Sequence, residues 1–248
     1  MPTVVYRLLP LFAVLLVAGC ASSPPPMEPA SPAPRAPAPS DVAPERPLPH
    51  APSTASGFDA AVERGTRTRE GRPGPNYWQQ TVDYDLTARL FPSDKRLVGS
   101  GTLTYTNSSP DTLKQLHLEL AQNLHAPGAP RLSAAEVTGG VTLQRVAVNG
   151  AVLSDTTEGP GYRVDHTRLR LQPPTPLPPN GTATIEIDWR FRIPQAGASG
   201  RMGYSRDNLL FLAYWYPQMA VYDDVTGWMD APFLGLAEFY ADFGDYDL

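Results

Sequence analysis

Twelve consecutive residues, "TATIEIDWRFRI" at 182–193, set Ala183, Ile185, Ile187, Trp189, Phe191 and Ile193 on one side of an extended chain and Thr184, Glu186, Asp188, Arg190 and Arg192 on the other. A period of two gives one apolar face only to a strand; a helix would scatter the same side chains around its axis. "TVDYDLTARL" at 81–90 repeats the pattern, with Val82, Tyr84, Leu86, Ala88 and Leu90 opposite Thr81, Asp83, Asp85, Thr87 and Arg89. "GTLTYTN" adds Leu103 and Tyr105, and "LKQLHLEL" adds Leu116, Leu118 and Leu120, with His117 on the polar side.

Turn chemistry separates these runs. Asn149-Gly150 in "LQRVAVNGAVL" sits between two apolar segments, and both residues tolerate positive φ, so a hairpin is expected there. "PPTPLPPNG" forms the turn before the long strand. No helical period intervenes. The expected fold is all-β, an antiparallel sandwich or saddle over residues 76–248.

The N-terminus has a different character. "MPTVVYRLLPLFAVLLVAGC" carries one cation, Arg7, ahead of an apolar run from Leu8 to Ala18. That run is short for a bilayer span and has the length of a secretory signal core. Its end, "VAGC", resembles a bacterial lipobox, in which the cysteine becomes a lipid-modified N-terminus. Residues 1–20 then form a lipoprotein signal peptide with Cys20 as the lipidation site; a plain signal peptide with Cys20 incidental is the other reading. The expected location is exported and membrane-anchored, on the periplasmic side or elsewhere in the cell envelope. Cys20 is the only cysteine, so no intramolecular disulfide can form.

Twelve prolines between Pro24 and Pro52, mixed with Ala and Ser, leave too little apolar surface to offset the entropy of folding. Residues 21–75 are expected to be a disordered Pro/Ala-rich linker.

A formal charge of −5 lacks the basic footprint of a nucleic-acid binder. The charge is uneven: from Asn208 to Leu248 there are seven acidic residues and no Lys, Arg or His. Twelve of the twenty-three aromatics lie between Tyr204 and Tyr246, so the acidic end is also the aromatic end. Both peak in "AYWYPQMAVYDDVTGW" at 213–228. Tyr214, Trp215, Tyr216, Asp223 and Asp224 are the candidate contacts there, to a substrate or to another domain; packing is the competing role for each aromatic.

Complete catalytic constellations are absent. His50, His117, His125 and His166 are scattered, and none begins an H-E-x-x-H pair. No G-x-S-x-G elbow or phosphate-binding glycine loop occurs, and "DFGDYD" lacks the calcium-loop register. No catalytic residue and no metal ligand is assigned to this chain. Asn107-Ser-Ser and Asn180-Gly-Thr read as turns.

The order of these segments resembles the zinc aminopeptidases of the membrane alanyl aminopeptidase family. "NYWQQTVDYDLTARLFPSDKRLVGSGTLTYTNSSPDTLKQLHLEL" is similar to the family's opening strands, and "LPPNGTATIEIDW" to its proline-glycine turn and long edge strand. "WYPQMAVYDDVTGW" and "FLGLAEFYADFGDYDL" are similar to segments that close the N-terminal domain in a bacterial branch. The resemblance spans Asn76 to Leu248. It implies a non-catalytic β-saddle, incomplete at its C-terminus, that packs on a separate catalytic domain beyond Leu248. That partner domain would hold zinc on H-E-x-x-H and a distant Glu and would cleave N-terminal residues from peptides. No cofactor is expected in this chain itself, which would be inactive alone. The family's N-terminal domain often offers a Gln or Glu to the substrate's α-amino group; Tyr214 stands about where that side chain is expected. The reading from a different class is a stand-alone lipoprotein module that binds a protein or carbohydrate through its Trp, Tyr and carboxylate side chains.

Overall fold

The computed structural model describes residues 54–196, 201–206, 209–236 and 240–248. The signal segment with Cys20, the linker up to residue 53 and Phe239 lie outside the described residues. The elements in chain order are α1 (Phe58–Glu63), β1 (Thr81–Phe91), β2 (Arg96–Thr106), β3 (Leu116–Glu119), β4 (Thr142–Val148), β5 (Ala151–Val152), β6 (Gly161–Asp165), β7 (Arg168–Gln172), β8 (Thr182–Arg192), β9 (Met202–Ser205), β10 (Leu209–Leu212), β11 (Gln218–Met219), β12 (Tyr222–Asp223), β13 (Gly227–Trp228) and β14 (Gly244–Asp247). A 3-10 turn, Ala121–His125, follows β3.

The fold is all-β. One sheet runs β14-β1-β2-β8-β4-β5 and a second runs β11-β3-β7-β6. Their apolar faces share one core: Val82, Tyr84, Leu103, Ile185 and Trp189 from the first meet Leu116, Leu118, Leu169 and Leu171 from the second. Neighbouring strands are antiparallel except at the edge, where β14 runs parallel to β1. Two small hairpins, β9–β10 and β12–β13, complete the architecture.

Strand β8 follows the period-two expectation, with Ala183, Ile185, Ile187, Trp189 and Phe191 all buried. The Trp189 indole needs space from its neighbour. Gly99 stands opposite it on β2, and a Cβ there would lie 2.4 Å from the indole ring. Glycine in this strand is therefore required by close approach. In β1 the buried alternation ends at Leu86, and Ala88 and Leu90 are exposed. Most of the buried part of the strand is the part that β14 also borders, from Val82 to Asp85.

Asn149-Gly150 makes the expected hairpin between β4 and β5, with φ of 50° and 79°. The Asn149 side-chain oxygen also accepts a hydrogen bond from the Thr184 amide at 2.8 Å, which ties the turn to β8. Asn107 does more than turn the chain. It is fully buried, donates to the carbonyls of Asp111 and Pro178 at 2.8 and 3.0 Å, and accepts from Ser109 Oγ at 2.6 Å and Gln80 at 3.2 Å. This knot fixes the turn that presents Asp111.

Ordered structure begins ahead of residue 76. Within the segment that composition assigns to the linker, α1 and the loop after it form a strap on the β domain. Ala61 is fully buried, and the Arg67 side chain reaches Asp224. Periodicity could not find α1, because six residues hold less than two turns.

Candidate functional site

The stretch 213–228 is divided between two places. Tyr214 and Tyr216, with Glu119, Arg201 and Gln218, line a pocket of about 220 Å³. Asp223 and Asp224 belong instead to a cleft of about 840 Å³ on the strap side, where Arg64, Trp78, Asp111 and Tyr222 also stand. The β11 strand and the chain after it separate the two groups.

Around the smaller pocket most aromatic surface is spent on packing. The Trp215 carbonyl accepts the Trp189 indole N–H at 2.9 Å, and the two rings lie 6.1 Å apart. Tyr216 meets Tyr84 edge-on at 5.5 Å, while Tyr84 stacks flat on Tyr246 at 4.6 Å and 3°. The Tyr84 hydroxyl is buried and accepts the Met219 amide at 3.1 Å. Tyr214 adopts φ of 58°, a left-handed conformation that is uncommon for an aromatic residue, and it tilts against Phe233 at 5.4 Å. Glu119 is raised by burial, and Arg168 at 2.8 Å pulls the other way. The pocket therefore sets one partly buried carboxyl group among tyrosine rings, the Gln218 amide and the Arg201 cation.

On the strap side, Asp224 is buried and paired. Arg67 grips its carboxylate from two nitrogens, at 2.8 Å from Nε and 2.7 Å from Nη2, and Arg64 donates to its backbone carbonyl at 2.5 Å. Burial alone would raise the Asp224 pKa, but hydrogen bonds from Arg67 and Thr66 hold it below the usual carboxylate value. The Arg67 guanidinium also lies 4.7 Å from the Tyr77 ring centre. Asp223 serves its own turn: one oxygen accepts the amides of Val225 and Thr226 at 3.0 and 2.6 Å, and the other accepts the Tyr240 hydroxyl at 3.2 Å. Nearby, burial followed by the Asp223 charge pushes Asp242 up to about 6.

Sequence reasoning paired Asp223 with Asp224 as one acidic feature. The structure gives them separate jobs, a turn cap and an ion pair. It also brings in residues that the pattern did not single out: Arg64, Arg67 and Trp78 from the strap, and Asp111 from the β2–β3 turn. The signal available was the aromatic pair in "NYWQQ", which stands out after a long stretch without aromatics.

Three of the four histidines lie among the described residues, and they stand apart from one another. His117 was expected on the polar side of its strand, but β3 is covered on both faces, and His117 is buried with its ring stacked on Trp228 at 4.8 Å and 15°. His125 Nδ1 bonds the Glu136 carbonyl at 2.8 Å. His166 occupies an exposed turn at φ of 52°. Among the described residues no three His, Cys, Asp or Glu side chains are placed to hold a metal ion, so these residues do not fit a zinc centre. No helix among them is long and apolar enough to cross a membrane.

No protein-family model matches the chain, and no curated protein matches it significantly. Among solved structures, the chain is similar to the M1 zinc metallopeptidase from Deinococcus radiodurans, at 16% identity and a TM-score of 0.34, over 54% of this chain and 26% of that one. A mutant of the same enzyme bound to a Tyr-Ser-Ala substrate matches with the same values. The chain spans about a quarter of the length of these structures.

Proposed function

We propose that this chain is the non-catalytic β domain of a lipid-anchored zinc aminopeptidase that trims peptides outside the cytoplasm. The observation that carries the reading is the uncovered apolar rim at the acidic end. Tyr240, Phe243, Tyr246 and Leu248 are all exposed, Phe243 to 88% and Leu248 to 81%. Strand β14, which carries Tyr246, forms the edge of the six-stranded sheet. Exposed apolar side chains rimmed by carboxylates mark protein contact surfaces, and an unpaired strand edge invites cover. The matched order of β1, β2, β3, β8 and the closing aromatic-acidic segments supports the choice of family.

In this reading the domain supplies surface, and the hydrolytic machinery belongs to its partner. Zinc, its ligands and the general base would lie outside the described residues. The pocket beside Tyr214 and Gln218 would stand at the domain boundary, where a peptide's N-terminal end could be bordered. The reading fails if roughly two hundred residues of coding sequence beyond Leu248, the size of one domain, contain no H-E-x-x-H with a downstream Glu. A positive result is an extended polypeptide that releases aminoacyl groups from peptide substrates when zinc is present.

A further inference from the structure

The cleft on the strap side plays no part in that reading. One bank is formed by residues 64–78 and the other by the β12–β13 hairpin with the β2–β3 turn, and about 840 Å³ lies between them. Small-ligand sites occupy roughly 300–1,000 Å³, so the space suits a ligand of several rings better than an ion.

Aromatic side chains line part of it. Trp78 and Tyr222 are half-buried and stack with ring centres 5.6 Å apart at 20°, and Pro110 extends the surface. The stack is held from behind, because Tyr222 also packs on Trp228 at 5.1 Å and its hydroxyl donates to Asp111 Oδ2 at 2.8 Å. The strap that carries Trp78 is fastened by Arg67 to Asp224. Little ordering is left for a ligand to impose, which is the condition for measurable affinity at an open site.

The rim is polar and nearly balanced in charge. Arg64, Asn76, Asp111 and Asn180 line it, and all four are exposed. Asp111 keeps one carboxylate oxygen for a ligand. Asn76 uses its N–H₂ on the Arg64 carbonyl at 2.9 Å and keeps its amide oxygen. Asp223 and Asp224 line the same cleft, but they are committed to the turn and to Arg67. One guanidinium against one available carboxylate favours neither a polyanion nor a polycation.

An aromatic ring bordered by planar hydrogen-bonding groups fits a molecule that is apolar on its ring faces and hydroxylated at its margins. We infer that this cleft binds a short oligosaccharide, with one pyranose ring against Trp78, which Tyr222 backs, and its hydroxyls on Asp111, Asn76 and Asn180. The site stands apart from the peptidase reading, so either can fail alone.

The test is calorimetric and fluorescence titration of the full 248-residue chain with cellotriose, maltotriose and tri-N-acetylchitotriose. Saturable binding of one of them is expected, with Kd at or below about 1 mM. Trp78→Ala should weaken it tenfold or more, Trp78→Phe less because an aromatic plane remains, and Asp111→Asn severalfold. Should Trp78→Ala not fold, Trp78→Phe and Asp111→Asn carry the comparison, since neither removes the strap's anchor. The inference is overturned if none of the three sugars saturates, or if neither Trp78→Phe nor Asp111→Asn alters the affinity. Binding of a proline-rich peptide at the same residues, without sugar binding, would also overturn it.

Discussion

Arg67 and Asp224 lie 157 residues apart and form a two-pronged ion pair, with the carboxylate buried and the guanidinium about one-fifth exposed. The pair joins the strap to the aromatic-acidic segment, and the Tyr77 ring covers the cation. Removing one partner of such a pair leaves a desolvated charge, which costs about 3–5 kcal/mol when both groups are fully buried. Partial exposure of Arg67 reduces that, so Arg67→Ala should lower stability by about 1.5–3 kcal/mol in urea unfolding.

The same change should free the strap before the core unfolds. Limited trypsin cleavage within residues 63–72 is expected to accelerate severalfold in Arg67→Ala at denaturant concentrations where β-sheet signal is intact. Equal cleavage rates in the two proteins would show that the ion pair does not hold the strap.

The contact between Gly99 and Trp189 gives a sharper packing test. A methyl group on residue 99 would sit 2.4 Å from the indole, inside contact distance, and the ring is fully buried with its N–H already bonded to the Trp215 carbonyl. Overpacking of this kind costs about 1–3 kcal/mol. Gly99→Ala should destabilise by that amount, and combining it with Trp189→Phe should give less than the sum of the two single effects, because the smaller ring relieves the clash. Strict additivity would place the strain elsewhere.

The strand framework was legible because burial imposes a two-residue period that no other structure satisfies. Ala183 through Phe191 could be assigned to one face before any fold was known, and the Asn149-Gly150 turn announced its own geometry. The cleft was not legible in that way. Its parts come from the strap, the β2–β3 turn and the β12–β13 hairpin, which are close only after folding, and none has a periodic signature. Composition grouped the strap with the proline-rich linker, since α1 is too short to show a helical period. Asp223 and Asp224 looked like a single feature because adjacency in sequence says nothing about which way each carboxylate turns. The burial of His117 depended on Trp228, more than a hundred residues away.

Buried His117 and half-buried Asp242 give the chain opposing pH responses. Burial lowers the His117 pKa to about 4, against the opposite pull of Asp230 and with the help of Arg170 and Arg168. Its unfolded value is near 6.5, so between those limits the unfolded chain holds more protons and stability falls as the pH drops. Asp242 behaves in the reverse sense: burial and Asp223 raise it to about 6, so the folded chain holds the extra proton and stability falls as the pH rises from about 4 to 6. In the native chain the two partly cancel. His117→Gln should leave a profile that declines from pH 4 to 6, and Asp242→Asn one that declines on acidification from about pH 6.5. Urea midpoints across this range measure both, and parallel profiles for the two variants would contradict the assignment.

The proposed domain contact makes a prediction that separates surface from core. Phe243 and Leu248 are among the most exposed apolar residues, so their removal should not disturb the fold of this chain. Phe243→Ser with Leu248→Ser should change its unfolding free energy by less than about 0.5 kcal/mol, as surface substitutions do. In a polypeptide extended through a catalytic domain, the same pair should loosen the boundary, lowering peptide turnover and exposing the junction to proteases. The converse applies to Cys20 in that extended protein: Cys20→Ser should abolish lipid labelling and release the enzyme from membranes while leaving turnover of soluble peptides intact. If the Phe243 and Leu248 changes destabilise the present chain by several kcal/mol and leave the extended enzyme unaffected, the rim belongs to this domain's own packing and the proposed partner has no surface to meet.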